Sequence, residues 1–493
     1  MPDILVCERI RSFLWNICAI CVILMTSMQK GDFIMERQNA WKKYDTAKLC
    51  ELEKLCDEYR RFLDNGKTER ECAKLSVSMA KKAGYRDLEE VIKNKENLKA
   101  GDKVYAVNMD KAVALFNIGT EDIENGMNIL GAHIDSPRLD VKQNPLYEDT
   151  DFAYLDTHYY GGVKKYQWVA LPLAIHGVIA KKDGKVVNVS IGEDENDPVF
   201  CVSDLLIHLA GEQLEKKASK VIEGENLDIL FGSKPLKDKE KDAVKSNILE
   251  LLKEKYDMDE DDFMSAELEI VPAGKAKNAG LDSSMIMAYG QDDRVCAYTS
   301  LKAMLDVSEV KRTACCLLVD KEEIGSVGAT GMQSKFFENA VCEVIDRMGD
   351  YNELKVRRCL KNSRMLSSDV NAAFDPLYAS AFEKNNASYF GRGMVFSKFT
   401  GSRGKSGSND ANAEYIAKIR KIMDESDISY QLAELGKVDV GGGGTIAYIL
   451  SLYGMEVIDC GVAVLNMHAP WEVTSKADIY ETKKGYEVFL KNM

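Results

Sequence analysis

Across residues 41–91, apolar positions recur at three- and four-residue steps. Leu49, Leu52, Leu55 and Phe62 are separated by charged residues. That spacing lines apolar side chains along one face and predicts a helical region. Residues 101–115 then read as strand and turn, and MNILGAH, residues 127–133, as a short buried strand with a polar end. Residues 138–285 alternate strands and turns. In HGVIAKKDGKVVNVSIG, Asp183-Gly184 predicts a tight hairpin. The charged stretch KPLKDKEKDAVKSNILELLKEKYDMDEDD predicts an exposed loop and helix, and AELEIVPAGKA another strand. After Gln291 strands and helices alternate. A helix near 294–305 precedes the apolar run TACCLLV, a buried strand. A helix near 335–347, a strand before Asp369, a GGGG turn at 441–444 leading into a helix, and the strand VIDCGVAVLNMH follow.

This rhythm predicts an α/β class, with a largely parallel sheet covered by helices on both faces. A chain of 493 residues exceeds one compact core. The expected division is an α/β domain from 35–137 and 286–493, with a β-rich domain, 138–285, inserted into it. Residues 1–34 stand apart. Residues 13–25 are almost wholly apolar and follow Arg9 and Arg11, like a signal-peptide core, but they are short for a membrane span. No small-x-small cleavage site follows. The favoured reading is a start assigned too early, with Met28 or Met35 as the true beginning; a signal peptide or anchor is the alternative.

Composition narrows the function. The net charge of −14 and the absence of a Lys/Arg tract with interleaved aromatics argue against nucleic acid. The 13 cysteines show no disulfide-like pattern outside the N-terminal segment, which suits a reducing cytoplasm. Stable membrane association is not expected.

The candidate chemistry lies at strand ends. Glu322 and Glu323 directly follow the buried run, where carboxylates are costly unless something needs their charge. His133 and Asp135 in GAHIDSPR, Asp292 and Asp293 in GQDDRV, Asp369 in MLSSDVNAA, and His468 in VLNMHAP share that context. Each alone also reads as a cap or turn residue. Together, converging outside the carboxyl ends of a parallel sheet, they suit a pair of zinc-like ions. A carboxylate can bridge two metals, and two metals can activate one water and polarise one carbonyl.

In order, HIDSP, DDR, DKEEIGS, SSDVNAA and NMHAPWE resemble the aspartyl aminopeptidase family of co-catalytic zinc aminopeptidases. The resemblance runs from about residue 40 to the C-terminus, with further matches in YYGGVKKYQW, LPLAIHG and GGGGTIA. It implies a zinc-exopeptidase-like mixed sheet flanked by helices, with an inserted dimerisation domain. It implies two zinc ions per subunit, with cobalt or manganese as substitutes. His133, Asp292 and Asp369 would hold one ion, and Asp292, Glu323 and His468 the other. Asp292 is chosen over Asp293 as the bridge because related sequences place it two positions before the Arg. Glu322 would be the general base for a metal-bridging hydroxide, and Asp135 would orient His133.

The substrates implied are short peptides, losing an N-terminal residue that is acidic in some members. Lys398 in VFSKFTGSRGK is a candidate cation for such a residue, and His176 in LAIHG would contact substrate in the neighbouring subunit. The resemblance also implies dimers through the insertion and a homo-oligomer, a dodecamer. Two positions depart from the eukaryotic pattern: Lys321, and Asn371-Ala372, stand where histidines are expected. The alternatives are a related dinuclear zinc carboxypeptidase or deacylase, and a non-catalytic scaffold on the same fold.

Overall fold

The computed structural model describes residues 37–349 and 351–493. The expectations for residues 1–34 therefore lie outside the described residues.

The run Ala314–Val319 is buried along its whole length. Ala314, Cys316 and Leu318 pack into one apolar core, and Cys315, Leu317 and Val319 into a second. Successive strand side chains point to opposite faces, so a strand buried on both sides has no polar alternation. It lies in a nine-stranded sheet. The central strands Ala314–Val319, Asn128–His133, Arg364–Ser368 and Glu456–Gly461 are mutually parallel neighbours. Antiparallel pairing begins on either side, with Ala112–Asn117 and Met394–Ser397.

Helices cover both faces. The expected helical region at 41–91 divides into Thr46–Asn65, Glu69–Lys82 and Leu88–Lys93. The first is capped by the Asp45 side chain, and the second by a Thr68–Glu71 capping box that satisfies free amide groups at its start. The helix Gln291–Asp306 packs under the sheet against the C-terminal helix Lys476–Asn492.

A six-stranded antiparallel sheet draws all its strands from residues 138–272 and packs on its own apolar core. The hairpin Leu173–Ala180 to Val186–Ile191 turns at Asp183-Gly184, as expected. The chain leaves this sheet at Pro272; Lys277–Ala279 and Met285–Ala288 already pair within a third, five-stranded sheet. The single strand expected in VIDCGVAVLNMH also divides. Glu456–Gly461 ends in the nine-stranded sheet and Ala463–Leu465 joins the five-stranded one. Among the described residues no helix is long and apolar enough to cross a membrane.

Candidate metal centre

His133 is the last residue of its strand, level with Val319 of the parallel neighbour. Glu322 and Glu323 follow that neighbour within a short turn, Glu322–Ile324. Asp369 directly follows Arg364–Ser368. Parallel pairing brings these three ends to one edge of the sheet. Asp292 comes from the first turn of Gln291–Asp306, where its backbone is not helical and the peptide bond to Asp293 is cis. His468 sits in the turn beyond Ala463–Leu465, with φ at +64°.

These segments meet around Asp292. Its Oδ1 lies 3.3 Å from Nε2 of His133 and its Oδ2 lies 3.2 Å from Nε2 of His468. Asp369 Oδ1 and Glu322 Oε2 each lie 3.9 Å from His133 Nε2. Glu323 Oε2 lies 3.6 Å from His468 Nε2. Three overlapping sets place all their ligand atoms within 4.8 Å of one another: His133–Glu322–Asp369, His133–Asp292–Glu323 and Asp292–Asp293–Asp369. Asp292, Glu322, Glu323, Asp369 and His468 line a cavity of about 690 Å³.

Both histidines direct Nε2 at the cluster and use Nδ1 elsewhere. His133 Nδ1 lies 3.0 Å from the Asp135 carbonyl and 3.2 Å from its Oδ1. His468 Nδ1 lies 2.9 Å from the carbonyl of Gly162, in the segment after the strand Phe152–Tyr160. The Asp135 carboxylate also accepts the backbone N–H groups of Glu322 (3.1 Å) and Glu323 (3.2 Å) and the Tyr160 hydroxyl (2.8 Å).

The electrostatics are those of too many carboxylates in one buried place. Burial pushes Glu322 up to about 7, with Asp135 and Asp292 adding to it. Burial, reinforced by neighbouring carboxylates, drives Glu323 and Asp369 well above the usual range. Burial also opposes charge on Asp292, but hydrogen bonds from His133 and His468 hold its carboxyl below its ordinary value. Burial disfavours a charged His468, yet Asp292 and Glu323 raise it to about 10. Oε1 of Glu323 and both carboxylate oxygens of Asp293 are buried without a hydrogen-bond donor. Oxygens left bare among crowded carboxylates, beside two imidazoles, fit divalent zinc-type cations, which relieve both the repulsion and the missing donors.

Two residues expected to contact substrate, His176 in a neighbouring subunit and Lys398, lie apart from this cluster. His176 lies buried in the six-stranded sheet, with Nδ1 2.9 Å from Glu71 and Nε2 3.1 Å from Glu193. Lys398 is half-exposed, 3.8 Å from Asp410, and is not among the residues lining the cavity. Sequence reading missed Glu472. This buried carboxylate accepts the backbone N–H of Asp292 (2.9 Å) and of His468 (2.8 Å), joining two segments of the site. Its signal was available: it ends the NMHAPWE motif, four positions after His468. Tyr160 and Gly162 lie in YYGGVKKYQW, which the resemblance covers, but the partners of a phenol and of a backbone carbonyl are set only by the fold.

An imidazole and carboxylate cluster of this kind, opening into a cavity at the carboxyl edge of a parallel sheet, defines a metal-dependent hydrolase. Residues 62–490 match the family model of the aminopeptidase I zinc metalloprotease (M18). The chain belongs to that family: it is a zinc aminopeptidase, an exopeptidase. It is 65% identical over 463 residues to a probable M18 family aminopeptidase 1 of Clostridium acetobutylicum, covering 94% of this chain and 100% of that one. The crystal structure of an M18 aminopeptidase from Thermotoga maritima superposes with a TM-score of 0.89 at 43% identity, covering 93% and 100%. That of aminopeptidase I from Clostridium acetobutylicum does so with a TM-score of 0.85 at 62% identity, covering 92% and 99%.

Proposed function

We propose that this aminopeptidase holds two zinc ions, with His133 and Asp369 on one, Glu323 and His468 on the other, and Asp292 shared. The observation that carries this is the split of the Asp292 carboxylate, one oxygen facing each histidine. Bound zinc supplies Lewis acidity, making water more acidic and polarising a peptide carbonyl. Glu322 lines the cavity and is the general base. It takes a proton from the water that attacks the N-terminal peptide carbonyl and passes it to the departing amine nitrogen. Asp135 orients His133 and fastens the turn that carries both glutamates. Glu322, Glu323 and Asp369 line the cavity where the free α-amino group of a peptide would sit, which favours exopeptidase action.

For the first residue of the peptide, the cavity supports a neutral side chain better than an acidic one. Among the described residues lining it there is no Lys or Arg, while Leu435, Met467 and Tyr448 offer apolar surface. Asn371 and Ser397, also in the lining, hydrogen-bond to each other at 3.0 Å and present a neutral polar wall.

Residues 138–285 read as an inserted domain, supported by the separate sheet and core of residues 138–272. Assembly of copies through it is supported by Leu205, Leu206, Ile207, Leu209 and Leu214, large apolar side chains exposed within one short stretch. A Saccharomyces cerevisiae mApe1, 21% identical with a TM-score of 0.71, was solved as a dodecamer. A reducing, cytoplasmic setting is supported by the described cysteines, all of them free.

The test is a panel of aminoacyl p-nitroanilides with zinc-loaded protein and Glu322→Gln as control. Release of free N-terminal residues by wild type and not by Glu322→Gln is expected. An active Glu322→Gln would overturn the assignment of the base. Activity confined to blocked N-termini would favour a deacylase.

A further inference from the structure

The six-stranded sheet meets the metal centre at one turn, where Phe152–Tyr160 ends and Gly161 and Gly162 follow. Tyr160 pairs in register with Arg138 of the adjacent strand, whose guanidinium lies 3.9 Å from the ring centre. Arg138 is itself held by Asp140 at 2.8 Å and Glu269 at 3.1 Å. The phenol is thereby fixed between a cation and the site, and its hydroxyl donates to Asp135 Oδ2 at 2.8 Å. Gly161 has φ of +74°, and a Cβ there would come within 3.2 Å of Glu323 Oε2 and 3.3 Å of its Cβ. Gly162 accepts from His468 Nδ1 at 2.9 Å, and a Cβ on it would stand 3.3 Å from that nitrogen. Tyr160 and Gly162 thus hydrogen-bond Asp135 and His468, and Gly161 between them leaves room for Glu323 where a side chain would not; the three partners come from three separate segments of the chain.

The chemistry of these contacts is directional. A backbone carbonyl can only accept, so His468 facing Gly162 carries its hydrogen on Nδ1. Its Nε2 lies 3.2 Å from Asp292 Oδ2 and 3.6 Å from Glu323 Oε2, and is the nitrogen whose lone pair would face a cation held with those carboxylates. Such outer partners fix the tautomer and orientation of a metal-binding imidazole. The Tyr160 hydroxyl shares Asp135 Oδ2 with the Glu323 N–H, while Oδ1 faces His133 Nδ1 and the Glu322 N–H. The absence of a side chain at Gly161 and Gly162 lets the backbone approach this closely.

We propose that residues 160–162 are a positioning element of the metal centre, setting the tautomer and aim of His468 and the orientation of Asp135. The six-stranded sheet then serves metal affinity as well as any contact between copies. This rests on the ligand assignment proposed above.

The test compares wild type, Tyr160→Phe, Gly162→Ala and, as a control on the same loop, Lys164→Ala at an exposed position. Zinc affinity is measured by chelator competition, and the visible spectrum is recorded on cobalt-loaded protein. Melting temperature of the metal-free protein and oligomer mass report folding. Zinc affinity in Tyr160→Phe and Gly162→Ala is expected to fall by about 10- to 100-fold. The cobalt spectrum should shift in both, while Lys164→Ala matches wild type and all four proteins stay folded. If Gly162→Ala does not fold, Tyr160→Phe decides the matter. Wild-type affinity and spectrum in a folded Tyr160→Phe would overturn the positioning role. A wild-type protein that binds no zinc would instead overturn the ligand assignment.

Discussion

Glu322 and Glu323 are adjacent in the chain and unlike in environment. The Glu322 side chain retains 16% of its exposure and faces the cavity, whereas Glu323 retains 3% and faces His468. The pair should therefore respond differently to the same change. Glu322→Gln should keep wild-type zinc content and lose about 10²- to 10⁴-fold in kcat. Glu323→Gln should weaken zinc binding by about tenfold or more. Zinc content and kcat measured on the same preparations check both.

Asp292 is the residue whose loss touches both histidines. Asp292→Ala should reduce bound zinc from about two ions per chain to nearly none, since each ion loses a ligand at once. Asp369→Ala should leave the His468 side bound. Elemental analysis after dialysis against a weak chelator separates the two outcomes. Equal retention in both variants would contradict a shared carboxylate.

The cavity lining predicts selectivity. Leucyl, methionyl and alanyl p-nitroanilides should be cleaved with higher kcat/KM than aspartyl or glutamyl ones. Lys398→Ala should leave that order unchanged, because Lys398 faces Asp410 rather than the cavity. An acidic preference abolished by Lys398→Ala would reverse this reading.

Glu472 accepts the buried amide of Asp292 and the part-buried amide of His468, so Glu472→Ala leaves both without this partner. Each such loss costs about 1–3 kcal/mol. Unfolding of the metal-free protein in urea should show the deficit, and zinc affinity should fall as Asp292 and His468 lose their shared anchor. Glu472→Gln, whose amide oxygen still accepts, should recover part of both.

The pH dependence of stability should carry a contribution from His176. Burial opposes its charge, but hydrogen bonds to Glu193 and Glu71 raise its pKa above the ordinary value. Its stabilising contribution is therefore fully present below its unfolded pKa of about 6.5 and is lost as pH rises through the higher folded value. Glu71 and Glu193 are held below their ordinary range, despite burial, by His176 and, for Glu193, by Lys67. Their contribution is present above the unfolded carboxylate pKa and is lost as pH falls through the depressed values. His176→Ala should cost about 1–3 kcal/mol near neutrality, since Lys67 and two backbone N–H groups still serve Glu193 and Glu71, and flatten the decline on the alkaline side. Urea unfolding at a series of pH values measures both. Mixed oligomers of His176→Ala and Glu322→Gln that regain activity would show that His176 also serves a neighbouring site.

Much of the candidate site is legible because its histidines and carboxylates sit in strand-end motifs. The unbroken apolar run before Glu322 could only be a strand buried on both faces, and its alternate side chains do fill two cores. MNILGAH ends in a polar residue because the strand ends at His133, whose buried ring faces the carboxylate cluster. The helical region at 41–91 divides where the polar run DNGKTERE, residues 64–71, interrupts the apolar step, and Asp45 and Thr68 set the starts of the first two helices. VIDCGVAVLNMH was read as one strand because nothing in its hydrophobicity marks where it passes from one sheet to the next.

The sequence by itself determined the α/β class, the order of the strand-end motifs and the residue types able to hold zinc. These depend on local periodicity and on chemistry carried by single side chains. Only the tertiary structure decided which oxygen of Asp292 faces which histidine, that Glu472 ties Asp292 to His468, and that Gly162, 306 positions before His468, accepts from its ring. It also set His176 between two glutamates and Lys398 beside Asp410. Such relations depend on distances between segments far apart in the chain. A backbone carbonyl, which every residue has, leaves no mark on the sequence until the fold gives it a partner.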